Sequence, residues 1–262
     1  MKSIYLRPPY KLVLILLIWC ALITFFVYFQ PITLHNQLLI TNNRQEENII
    51  KTLSLLLNQA SNKIGKLSCK LSDDVSENGG WCSKISGKNS SQHVTDVPLA
   101  LSLSKYLKGK RVASFGDGPG IYKGYLQLYK EVKCYDAFDG APYVEETTNN
   151  QVKFLDLSVP IHHLNTYDWI ISLEVAEHIP KKYELVFVDN LVRYAREGII
   201  LSWAPLGQNG HAHVNNKDFN DVKMLLEERG FFHDPNDSDI LKNAATFNWL
   251  KNNVNVFKKI KY

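Results

Sequence analysis

The chain opens with an unbroken apolar run, residues 12–29 (LVLILLIWCALITFFVYF), which carries no charge and only Thr24 as a clearly polar member. As a helix rising 1.5 Å per residue it spans about 27 Å, enough to cross a thin bilayer. Between residues 43 and 67 the pattern changes. Ile49, Leu53, Leu56, Ala60, Ile64 and Leu67 recur at helical spacing, which predicts one amphipathic stem helix. Two roles fit such a stripe: a short dimerising stalk that makes a homodimer, or a helix lying on the following domain or the membrane surface. Residues 68–92 are polar and turn-rich and read as linker.

From about residue 94 short apolar runs alternate with helical stretches. Asp96 and Pro98 start a helix through Tyr106 that stops at Lys108 and Gly109. Strands are predicted at 111–115, 132–135, 152–155, 169–173 and 198–203, with helices at 183–195 and 219–229. Phe231 with Phe232, and residues 254–257, close the chain. Strands alternating with helices demand right-handed crossovers, hence a largely parallel sheet covered on both faces. The expected fold class is α/β, doubly wound and Rossmann-like.

Charge sharpens the reading of the N-terminus. The 262 residues hold 30 Lys and Arg against 26 Asp and Glu, a net charge of +4. Lys2, Arg7 and Lys11 precede the apolar run, and residues 1–30 contain no acid, so most of the excess flanks that run. The positive-inside rule then predicts a cytosolic N-terminus and a lumenal domain, in the endoplasmic reticulum or Golgi. A cleaved signal peptide is the competing reading. The run exceeds the usual apolar core of a signal and ends at Tyr28, Phe29, Gln30 and Pro31, a poor cleavage site, so an uncleaved anchor in the lipid bilayer is preferred.

The rest of the chain is electrostatically balanced, which disfavours nucleic acid as a partner. Cys69 and Cys82 flank a loop-like stretch and could pair as a disulfide. Asn89 and Asn236 lie in N-x-S sequons. The expected organisation is a cytosolic segment over 1–11, an anchor over 12–29, a helical stem and linker over 30–92, and a folded domain over 93–262.

The first strand of that domain runs into Gly116, Asp117, Gly118, Pro119 and Gly120. A tight glycine turn at the carboxyl end of a strand lets backbone approach a ligand closely. Asp136 follows Gly116 by 20 residues, where an acid hydrogen-bonds ribose hydroxyls, and Asp156 follows after another 20. Three such features at successive predicted strand ends point to a nucleoside-containing ligand. The position of the third glycine in the dinucleotide fingerprint is Ile121, which disfavours an NAD-dependent oxidoreductase.

These residues, with residues 168–180 (DWIISLEVAEHIP), resemble the ordered motifs of class I S-adenosylmethionine-dependent methyltransferases. Residues 172–180 are similar to the segment after the fourth strand in ubiquinone-type O-methyltransferases. The resemblance covers about residues 95–262 and implies a seven-stranded sheet whose last strand is antiparallel. It implies that Gly116, Gly118 and Gly120 pack against the methionine moiety of S-adenosylmethionine, that Asp136 holds the ribose, and that Asp156 contacts the adenine amine. Asp117 departs from the small residue or Cys of many relatives, and an acid there could meet the methionine ammonium.

Methyl transfer to an oxygen needs in-line alignment and a way to weaken or remove the hydroxyl proton. Glu174, Glu177 and His178 stand at i, i+3 and i+4, expected on one face of a helix entrance. A loop after the fifth strand adds His211 and His213. Two carboxylates and two imidazoles would suit a divalent cation, Mg or similar. A similar Glu-x-x-Glu-His with a distant His holds a metal in the small-RNA ribose 2′-O-methyltransferases, and that resemblance implies Glu174, Glu177, His178 and His213 as ligands. The alternatives are His178 or His213 as a proton acceptor without metal, and plain loop packing. The expected activity is a membrane-anchored methyltransferase acting on an oxygen of an unspecified acceptor; the alternative is a non-catalytic scaffold of the same fold.

Overall fold

The computed structural model describes residues 30–71, 74–82 and 93–261. The anchor expected over 12–29 lies outside the described residues, and among these no helix is long and apolar enough to cross a membrane. The chain divides into two compact units, residues 1–52 and 53–262. Helix α1 (Gln30–Leu71) contributes to both, and in the first unit Lys51 pairs with Glu47 one turn back at 2.6 Å.

In the second unit the alternation of strands and helices is realised. Its elements are α2 (Val97–Tyr106), β1 (Arg111–Phe115), α3 (Ile121–Tyr129), β2 (Cys134–Asp139), α4 (Val144–Thr147), β3 (Lys153–Phe154) and β4 (Tyr167–Ser172), then α5 (Glu184–Tyr194), β5 (Ala195–Leu201), α6 (Phe219–Glu227), β6 (Phe231–Asp234), α7 (Pro235–Ala244), α8 (Asn248–Asn253) and β7 (Asn255–Lys259). They build one seven-stranded sheet in the order β3-β2-β1-β4-β5-β7-β6. The first five strands are mutually parallel, and β7 runs antiparallel to both β5 and β6. This is a Rossmann-like sheet in which β7 is the one reversed strand.

Both faces of the sheet are covered, so the central strands can be apolar throughout. On one face Ala113, Phe115, Ile170, Ile199 and Leu201 meet Phe187 and Leu191 of α5 and Leu226 of α6. On the other, Val112, Trp169, Ile171 and Ile200 meet Leu99 and Leu103 of α2, Leu126 of α3 and Leu241 of α7. Asp96 starts α2 as an N-cap: its Oδ1 accepts from Leu99 N at 3.1 Å. Its Oδ2 accepts from Thr246 N and Phe247 N at 2.5 and 2.8 Å, tying the first helix of the fold to the segment before α8.

Helix α1 packs on the domain with its polar face, not its apolar stripe. Ser54 and Asn58 are 5% and 7% exposed, whereas Leu53 and Leu67 are each 59% exposed. The reason is the outermost strand, β3, whose free edge presents unpaired backbone groups. The Asn58 amide works as a substitute strand there: Nδ2 donates to Phe154 O at 3.1 Å and Oδ1 accepts from Asp156 N at 2.9 Å. Asn62 Nδ2 donates to Pro142 O at 3.0 Å, and Ser61 donates to the Asp156 carboxylate.

The end of α1 is fastened by a disulfide between Cys69 and Cys82, 13 residues apart and with a Cα–Cα distance of 5.3 Å. Within the loop, Val75 and Trp81 form an antiparallel bridge, and Ser76 N donates to Gly80 O at 2.8 Å. Gly80 has no room for a side chain, since a Cβ there would stand 2.1 Å from Gly140 O. Residues 74–82 are thus an ordered strap against the loop after β2 rather than a linker. Replacing Cys69 and Cys82 together by Ser is expected to lower the unfolding free energy by about 3 kcal/mol, the chain-entropy value for a loop of this size. Urea unfolding of the oxidised protein and the double variant measures it, and equal midpoints would contradict the strap's role.

Candidate active site

Strand β1 ends at Phe115 and turns sharply through Gly116–Gly120 into α3. Gly116 has φ +95°, and a Cβ there would lie 2.2 Å from Val175 Cγ2, so only glycine fits. The amides of Gly116 and Asp117 donate to Phe138 O at 2.8 and 2.9 Å. Gly118 N donates to Asp139 Oδ2 at 2.8 Å, and Ala141 N donates to Asp139 Oδ1 at 2.8 Å. Asp139, the last residue of β2, therefore braces the glycine turn and lines the cleft above it. Burial raises its pKa, and the two backbone amides oppose that shift.

The nucleoside-site residues expected from sequence are placed unevenly. Gly116, Asp117 and Gly118 line the cleft, while Gly120 precedes α3 and Asp136 and Asp156 do not line it. Asp136 lies in mid-strand, exposed, and accepts from Tyr167 Oη at 2.9 Å. The correction has a simple cause. Strand β2 runs to Asp139, not to residue 135, and Phe138 is the residue level with Phe115. Asp156 is buried and spent on structure, accepting from Ser158 N at 2.8 Å, Ser158 Oγ at 2.6 Å and Ser61. The signal for Asp139 was present in the run Asp139, Gly140, Ala141, Pro142, where turn residues follow an acid at a strand end.

Asp117 points inward. Tyr135 Oη donates to its Oδ1 at 2.7 Å and Lys123 N to its Oδ2 at 3.3 Å. Burial pushes its carboxyl up to about 6, with the Tyr135 hydrogen bond as the largest opposing influence.

Beyond β4 the chain does not enter an α-helix. Glu174 has φ +57° and a 3-10 turn follows over Ala176–His178, so Glu174 does not share a face with the other two. Its Oε1 instead accepts from Ser202 Oγ at 2.7 Å. The carbonyl of Glu177 accepts from Val214 N and Asn215 N at 2.9 and 3.0 Å, which zips the loops after β4 and β5 together. That pairing brings His213 to His178, with ring centroids 5.1 Å apart. Donor atoms of Glu177, His178 and His213 all lie within 4.8 Å of one another. Glu174 stands outside this cluster. His211 also lies apart, paired with Asp74 at 2.8 Å.

Glu177 is 0% exposed, and neither carboxylate oxygen has a hydrogen-bond partner among the described residues. Burial, with the nearby Glu174 charge, pushes its carboxyl up to about 8. An orphaned buried carboxylate is costly unless it is protonated or neutralised by a cation. Burial, followed by the neighbouring His213, pushes His178 down to about 4, so its ring is neutral at pH 7. Its Nδ1 lies 3.3 Å from Ala212 O, which assigns the proton to Nδ1 and leaves Nε2 with a free lone pair.

The cleft has a volume of about 690 Å³. Its wall includes the glycine turn and Asp139 together with Trp81, His178, His213 and Trp249. Trp81 stands 4.5 Å from the His93 ring and 5.9 Å from the His178 ring, centroid to centroid. The residues missed from sequence are therefore Asp139, His93 and Trp81; the last two precede the first strand, where no motif marks them.

The shifted Asp117 carboxyl makes stability depend on pH. Its folded pKa lies above the unfolded value, so its contribution is full below about 4 and lost as pH rises through about 6. Asp117→Asn is expected to flatten the fall in unfolding free energy between those limits. Denaturant titrations at stepped pH measure it, and a slope shared by both proteins would contradict the assignment.

No protein-family model and no curated protein matches the sequence. Among solved structures, the CcbJ methyltransferase from Streptomyces caelestis superposes with a TM-score of 0.51 at 6% identity, over 71% of this chain and 99% of that one. The small RNA methyltransferase HEN1 gives 0.49 at 12% identity over 67% and 27%. The magnesium protoporphyrin IX methyltransferase ChlM of Synechocystis with bound SAM gives 0.45 at 18% identity over 63% and 76%. The likeness to CcbJ is one of fold.

Proposed function

We propose that this chain is an S-adenosylmethionine-dependent methyltransferase that transfers a methyl group to a hydroxyl oxygen. One observation carries the reading: the Gly116–Gly120 turn and Asp139 stand level at the carboxyl ends of β1 and β2, over a cleft that also reaches His178 and His213, the two imidazoles beside the buried Glu177. In this reading Asp139 takes the role expected of Asp136 and holds the ribose hydroxyls. The carboxylates of Asp117, Asp139 and Glu174 line the cleft and, among the described residues, no Lys or Arg does, which suits a sulfonium cation.

Glu177, His178 and His213 fit a divalent cation. Two imidazoles and one carboxylate favour a transition ion over Mg. A bound cation would lower the pKa of the acceptor hydroxyl. A histidine pushed down to about 4 is a weak proton acceptor at pH 7, and the same neutral nitrogen is a good ligand, so the metal reading is preferred over His178 as a free base. Glu174 has a positioning role here, fixing the loop through Ser202.

The reading includes residues 12–29 as a membrane anchor with the domain on the lumenal side. The basic flank supports this, and so does the Cys69–Cys82 disulfide, which suits an oxidising compartment. Glycan addition at Asn89 in cells is its readout, and an unmodified Asn89 counts against it.

Calorimetry of the full chain is expected to give micromolar binding of S-adenosylmethionine. Asp139→Ala should abolish it and Asp136→Ala should leave it within about twofold. The reverse ranking, or no binding by the unaltered chain, sinks the proposal. In thermal melts, Zn or Mn is expected to raise the midpoint of the chain, and Glu177→Gln should remove that rise while Glu174→Gln retains most of it. Equal responses of the two variants would overturn the ligand assignment.

A further inference from the structure

The wall of the cleft has a composition that discriminates among hydroxyl-bearing acceptors. Two indoles, Trp81 and Trp249, and three side-chain amides, Asn209, Asn248 and Asn252, contribute to it. The amides are solvent-exposed and have no protein partner among the described residues. Among the described residues no Lys or Arg lines the cleft.

Each acceptor class meets these walls differently. A nucleic acid, or a phosphorylated or sulfated acceptor, requires cations to offset its charge, and here it would face carboxylates instead. An acceptor that is apolar throughout would strip water from the three amides and leave them unpaired. A neutral sugar ring has an apolar C–H face for an indole and peripheral hydroxyls for amides, so it satisfies both kinds of wall at once. Trp81 is held for this purpose: its backbone bridges Val75 and its neighbour Cys82 is disulfide-bonded. A ring resting against Trp81 lies beside the His178 ring, 5.9 Å from the indole centroid, where the acceptor hydroxyl is needed. Such pre-organisation reduces the entropy lost on binding.

We propose that the acceptor is a hydroxyl of a neutral glycoside, seated against Trp81 and Trp249 and oriented by the rim amides. The proposal rests on the methyltransferase reading. In the reaction the sugar oxygen bonds to the methyl carbon, the carbon–sulfur bond breaks with its electron pair kept by sulfur, and the hydroxyl proton leaves to water.

The test uses the full chain with labelled S-adenosylmethionine and a panel of methyl glycosides (α-mannoside, α-fucoside, β-galactoside and β-xyloside), beside catechol and a single-stranded RNA oligonucleotide. Label is expected on at least one glycoside and on neither comparator. Trp249→Ala should raise KM about tenfold with little change in kcat, and Trp81→Phe should retain activity that Trp81→Ala loses. Label on catechol or RNA but on no glycoside overturns the proposal, as does bound S-adenosylmethionine with no label on any acceptor. If S-adenosylmethionine does not bind, the methyltransferase reading fails, and saturation-transfer NMR of the same glycosides decides the sugar site separately. Binding that is lost in both Trp→Ala variants supports it, and absence of binding overturns it.

Discussion

Phe115 at the end of β1 is level with Phe138 of β2 on one side, while Ser114 is level with Ile171 of β4 on the other. Ser172 Oγ reinforces the second pairing by donating to Phe115 O at 2.8 Å. Because the three strands are parallel and in this register, their carboxyl ends open at one height. The glycine turn, Asp139 and the Glu174–His178 loop all follow those ends directly, so they meet in one cleft. A register shifted by one residue would reverse the face each side chain takes and separate them.

The loops that carry the chemistry are held by backbone pairing, which leaves the side chains available. The carbonyl of Glu177 takes two amides from the loop after β5, and its carboxylate takes none among the described residues. A buried acid without partners costs folding free energy. Strain of this kind is concentrated at functional sites, because the same arrangement that destabilises an empty pocket favours a cation in it. The neutral His178 ring and the nearby His213 bring their donor atoms within 4.8 Å of the Glu177 carboxylate.

The segments preceding the Rossmann-like core are part of its site. Helix α1 covers the β3 edge with Ser54, Asn58 and Ser61, and the disulfide continues this contact into the strap that carries Trp81 to the cleft. The use of a polar face follows from what is being covered. Leucines cannot satisfy the free N–H and C=O groups of an edge strand, and an asparagine can satisfy one of each. The apolar stripe that periodicity picked out is consequently the exposed one.

Much was legible along the chain. The apolar runs at 111–115 and 169–173, the glycine turn and the closing strand near 254–257 are local facts, set by side-chain pattern within a few residues. What only the tertiary structure decided was which residues stand opposite one another. Asp139 and not Asp136 lies level with the glycine turn because inter-strand register determines it. Glu174 stands apart from Glu177, His178 and His213 because a left-handed φ replaced the expected helical turn. Asp156 was claimed by α1, and Trp81 entered the cleft from far upstream. Periodicity reports how a segment is buried on average; the partner that buries it is fixed by contacts between residues distant in sequence, which no local pattern encodes.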